Sequence, residues 1–135
     1  MAGGKNFTRL LLGALIVLAG GCDHGPKRHP VSGQVLYDGK PIPFGEIYFD
    51  PDVTKRNDGP QGFARIQDGQ YDTREGGSPA APGPQLVRIL GFNGKPGPEL
   101  PLGRPLFPEY TTSADIPVQG NATLDFSVPA RGRPR

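Results

Sequence analysis

Cys22 is the only cysteine in the 135-residue chain, and its two histidines, His24 and His29, follow within seven positions. A thiolate and two imidazoles are metal-ligand types, and cysteine with histidine is also the pairing of nucleophilic catalysis. Here all three lie on a stretch broken by Pro26 and Pro30, with no second cysteine to complete a metal site. Both histidines also precede the first strand-like segment, so no Ser-His-Asp or Cys-His constellation is expected inside the domain that follows. The 13 carboxylates fall mostly in turns, where solvated turn residues are the simpler reading than an acid–base pair. No catalytic, cofactor or metal residue is therefore assigned, and the chain is expected not to be an enzyme.

Two weaker constellations remain. Asp50, Asp52 and Thr54 alternate as calcium ligands would, but an EF-hand loop begun at Asp50 would carry Lys55 where it needs glycine. It would also place Gln61 where it needs a bidentate glutamate. An irregular cation site from Asp50, Asp52, Asn57 and Asp58 stays open beside a plain polar loop. Tyr37, Tyr48, Tyr71 and Tyr110 would stack on sugars if exposed together on one sheet face. Strand tyrosines half-buried with the hydroxyl in water are the alternative.

The elements around Cys22 give it a different meaning. "MAGGKNFTR" is basic and free of acids, and "LLLGALIVLA" (Leu10 to Ala19) adds ten mostly apolar residues. A bilayer core about 30 Å thick needs about twice that many at about 1.5 Å per residue. A basic start, a short apolar run and a small-residue exit describe a secretory signal peptide. The run "LAGGC" then resembles the lipobox of bacterial lipoproteins, with Gly20 and Gly21 leading into Cys22. Family usage prefers leucine three places before the cysteine, where Ala19 stands here, with Leu18 one place further back. The resemblance implies a leader of residues 1–21, lipidation of Cys22, and cleavage that makes Cys22 the first residue. It places the protein in the cell envelope, anchored to a bacterial membrane on its periplasmic or outer side. An ordinary secreted protein with a free thiol is the alternative.

Beyond the leader the chain is balanced. The formal charge of +2 is carried by Lys5 and Arg9, which leaves 13 basic and 13 acidic residues after residue 21. That balance argues against nucleic acid, whose capture needs a basic face. Residues 22–30 read as a tether. The 21 glycines and 17 prolines would suit disorder, except that alternating segments lie between the turns. Strands are expected at 31–38, 44–50, 62–67, 70–73, 85–92, 113–119 and 122–128, with tight turns at Asp38-Gly39 and Asp68-Gly69. Residues 113–119 and 122–128 are expected to form a closing hairpin about Gly120-Asn121. Five prolines in residues 93–110 mark an exposed crossing. These features predict an all-β antiparallel Greek-key sandwich of about seven strands over residues 31–128, with an up-and-down barrel as the other architecture. A basic tail, residues 129–135, carries Arg131, Arg133 and Arg135.

The run "HPVSGQVLYDGKPIPFGEIYFDPD" also resembles the opening of carboxypeptidase regulatory-like domains, which are transthyretin-like sandwiches. Val31, Ser32, Gly33, Val35, Asp38, Gly39, Lys40, Pro41, Ile42 and Pro43 match its pattern. "DGQY" (68–71), "PGPQLVRILG" (82–91) and residues 107–128 are similar to later strands. Within transthyretin-like proteins the purine-pathway hydrolases use histidines and a Tyr-Arg-Gly-Ser tail. This chain has no histidine beyond residue 29 and ends "ARGRPR". The resemblance therefore implies a fold and a non-catalytic structural or protein-interaction role. A carbohydrate-binding module and, behind it, a small hydrolase are the competing functions. Partners are expected to be the membrane and an envelope protein or glycan.

Overall fold

The computed structural model describes Gly3 and residues 25–130. Cys22, His24, the leader and the last three arginines lie outside the described residues. The fold is all-β and antiparallel in its main path, as expected, and among the described residues no helix is long and apolar enough to cross a membrane. The strands are β1 (Val31–Tyr37), β2 (Lys40–Pro41), β3 (Phe44–Pro51), β4 (Gly62–Gln67), β5 (Gln70–Asp72), β6 (Gly83–Phe92), β7 (Tyr110–Ile116), β8 (Ala122–Thr123) and β9 (Phe126–Val128). Seven of them form one curled sheet in the order β2-β1-β5-β4-β3-β6-β7.

Alternation explains the curl. Ile47 and Phe49 on β3, Ala64 and Ile66 on β4, and Val87 and Ile89 on β6 are fully buried, while Tyr48, Arg65 and Arg88 face outward. Val31 and Val35 on β1 and Ile42 after β2 complete the core from the other side. A sheet apolar on one face only must wrap that face around itself or cover it. Both expected tight turns form. Asp38 and Gly39 have φ of 49° and 74°, and Asp68 and Gly69 have 50° and 74°. Positive φ at both central residues matches the right-handed twist of the flanking strands.

The closing hairpin does not form. Expected strand 113–119 is instead β7, three residues earlier, ending immediately before Pro117, which has no N–H to extend a ladder. Residues 117–121 then cross the end of the sheet to the start of β1. So β8 and β9 run parallel to β1, with Val31 opposite Ala122 and Tyr37 opposite Val128. Residues 29 and 30, expected to precede the domain, belong to it. His29 exchanges backbone hydrogen bonds with Ala80 (2.7 and 3.0 Å), and Ala122 N–H donates to the Pro30 carbonyl, so the fold begins at residue 29.

Four connections gather at the end where β1 begins: the incoming residues 25–30 and the loops 52–61, 73–82 and 117–121. The two tight turns and the 93–109 crossing lie at the opposite pole. The crossing is mostly exposed, as expected, yet it drops the Phe107 ring into the core against Tyr37 (centroids 4.9 Å apart).

Candidate functional site

The structure scatters the residues that sequence reasoning singled out for chemistry. His29 Nδ1 lies 3.0 Å from the Gly120 carbonyl. A carbonyl only accepts, so Nδ1 carries the proton, and Nε2 is buried without a partner. Asp50 points outward from β3, accepting from Arg88 Nε and Gln61 Nε2 at 2.5 Å each. Asp52 turns inward and accepts from the backbone and hydroxyl of Thr54, capping a single 3₁₀ turn at Val53–Lys55. Asn57 donates to the carbonyls of Pro82 and Pro84 at 3.0 and 2.7 Å, and Asp58 is exposed. Asp50, Asp52 and Asn57 thus serve separate local bonds. No group of three or more His, Cys, Asp or Glu is placed to hold a metal among the described residues.

The tyrosines do not share an exposed face either. Tyr71 is buried and donates its hydroxyl to the Leu124 carbonyl at 2.6 Å. Burial, with the Asp125 charge adding to it, pushes its phenol well above the ordinary range. Tyr37 and Tyr110 pack against the core. Only Tyr48 faces outward, against the Phe63 ring, with the Arg88 guanidinium 4.7 Å from its centroid. Its phenol is raised by partial burial and by the hydrogen bond to Glu46.

Arg88 was not anticipated by sequence reasoning. It bridges Asp50 and Glu109, the latter at 3.3 Å. Partial burial works to raise the Asp50 carboxyl, but the Arg88 and Gln61 hydrogen bonds outweigh it and hold the group below its usual range. The register that sets Tyr48 opposite Arg88 is the signal that would have found this cluster. It is an outer-face clasp between β3, β6 and the crossing.

The described residues also form concave surfaces, two of which bear on binding. The larger, about 1080 Å³, is an open polar trough over β1, β5 and β4, lined by Gln34, Arg65, Gln67, Asp72, Glu75 and Asp125 among others. Its carboxylates are partly occupied: Asp72 is held by Arg74 at 2.7 Å, and Asp125 accepts the Gln34 N–H at 2.8 Å.

The second surface, about 400 Å³, lies between β7 on one side and β8–β9 on the other. Tyr110, Thr112, Ala114, Leu124 and Phe126 line it. This is the seam where the curled sheet stops short of closing. Among the described residues no strand pairs with the outer edge of β7 or with the edges of β8 and β9 away from β1. Following the pairings around the sheet, β7 and β9 run antiparallel across the seam. Two strand edges carrying unpaired N–H and C=O groups flank a floor of mixed polar and apolar side chains, and open edges of this kind accept an added strand. Sequence reasoning missed it because an open edge belongs to topology and leaves no local motif.

No family model matches the chain, and no curated protein matches it.

Proposed function

We propose that this chain is a bacterial lipoprotein of the cell envelope. Cys22 anchors it to a membrane, and its domain, of the carboxypeptidase regulatory-like, transthyretin-like kind, is a non-catalytic module that binds an extended segment of a partner protein. The open seam between β7 and β8–β9 carries this reading. An inserted strand would run antiparallel to one flanking edge and parallel to the other, gaining main-chain hydrogen bonds on both sides. Its inward side chains would meet Tyr110, Leu124 and Phe126, and Asp115 and Asp125 at the rim favour a Lys or Arg near one end. A sugar platform has less support, since three of the four tyrosines face the core.

The test is site-specific photo-crosslinking in the native host, with the crosslinker at Thr112 or Ser127 and, as control, at Gln67 in the polar trough. The expected result is adducts at the two seam positions that map to alternate residues of one partner segment, with none at Gln67. Equal labelling at all three positions, or none at the seam, refutes the reading.

A further inference from the structure

The outward face of β1, β5 and β4 is patterned by the strand register. Gln34 stands opposite Gln70, and Gln70 opposite Gln67, so three exposed glutamines form one row across three strands. Neighbouring strands lie about 4.8 Å apart, which sets the period of the amides. Two residues along the strands, Thr123 and Asp72 flank Ser32 in a second row, and Arg65 continues that row on β4. Between the rows, Gly33, Tyr71 and Ile66 share a register and send no side chain outward. Tyr71 and Ile66 are buried on the inner face, and glycine has none to send. The polar trough is therefore a groove across the strands, floored by backbone, with its two polar rows about 7 Å apart.

The rows carry hydrogen-bonding capacity that the fold leaves unused. Among the described residues, the side chains of Gln34, Gln67, Gln70 and Arg65 make no hydrogen bond or ion pair. Asp72, the row neighbour of Arg65, is held by Arg74 instead. The charges that line the groove are Asp68, Asp72, Glu75 and Asp125 against Arg65. With Arg74 at the margin, four carboxylates face two guanidiniums, an excess of two acids.

We propose that this groove binds an extended glycan that carries amino groups. A chain lying across the strands meets one amide per strand, and the edge hydroxyls of each ring come within reach of both rows. A primary amide donates and accepts, which suits hydroxyls, while the excess carboxylates suit ammonium groups. The backbone floor admits a ring face without a stacking platform, so the inward-facing tyrosines are no obstacle. An anionic chain would meet like charge. The proposal stands apart from strand insertion at the seam, and a glycan in the groove gives no peptide adduct at Gln67.

The test is calorimetric titration of the full chain, purified in detergent, at mildly acidic pH, where glucosamine is protonated. Three probes of equal length are compared: a β-linked glucosamine oligomer, the glucose oligomer of the same linkage, and oligolysine. The expected result is saturable binding of the glucosamine oligomer, about tenfold or more tighter than either other probe. Gln67→Ala/Gln70→Ala should weaken it about tenfold, and Glu75→Gln about threefold. All three positions are exposed, so the urea midpoint of each variant should match the wild type and separate lost binding from lost fold. No binding of the glucosamine oligomer overturns the proposal, as does binding that the double variant leaves unchanged. Equal affinity for oligolysine would mark a site for cationic peptides, and equal affinity for the glucose oligomer a site blind to the amine. Either result refutes the assignment.

Discussion

At the scale of single residues, the last segment of the domain is held by contacts that tolerate no added atom. The Leu124 carbonyl lies directly over Gly33 and accepts the Tyr71 hydroxyl. A Cβ at position 33 would collide with that carbonyl, so Gly33→Ala should cost about 3 kcal/mol or more, read as a lowered urea midpoint. Tyr71→Phe leaves the carbonyl without its donor and should cost about 1–3 kcal/mol at neutral pH. The pH dependence follows from the raised phenol, whose ordinary value is 10.0. The folded state holds the proton more tightly than the unfolded chain, so this stabilisation is whole below pH 10.0 and fades as the pH rises above it. The difference between wild type and Tyr71→Phe should therefore narrow in alkaline denaturation series; a constant difference would show that the phenol is not the titrating group.

At the scale of elements, the turns and the apolar strands were readable and the closure was not. Asp38-Gly39 and Asp68-Gly69 announce themselves because few residue pairs accept two positive φ values. Residues 44–50 and 85–92 are readable because one face is uniformly apolar. The expected strand 113–119 lies three residues past β7 because Thr111, Thr112 and Ser113 give no apolar alternation, and Pro117, inside that span, is the stop. The parallel pairing of β1 with β8 and β9 joins segments about ninety residues apart, and no local turn signals such a pairing. The candidate seam follows from that pairing, so it was hidden for the same reason. β3 and β6 share the longest register, eight residue pairs from Phe44–Phe92 to Pro51–Gln85. Phe49→Ala on their buried face should cost about 4 kcal/mol. Leu86→Ala on the outward face should cost under about 1 kcal/mol. Comparable losses in urea unfolding would mean that the sheet buries both faces.

At the scale of the whole molecule, the charge beyond residue 21 is balanced, 13 basic residues against 13 acidic. The sides of the molecule offer a polar trough and an open seam. Intact mass of the N-terminal peptide from host membranes should show acyl chains on Cys22, and Cys22→Ala should lose them, with the mature protein no longer retained through lipid. An unmodified thiol in the wild type would return the chain to the secreted class.

The pairing of β1 with β8 and β9 also bears on the order of events during synthesis. The first strand of the domain finds its neighbours on one edge only when residues 122–128 have been made, so nearly every residue must be present before the core is covered. Such non-local closure makes for slow folding. Under the proposed export such a delay would serve the chain: β1 to β5 can pair among themselves, but the core stays uncovered along the other edge of β1 until β8 and β9 arrive. Termination after residue 121 should leave a soluble, protease-sensitive chain with no cooperative unfolding transition.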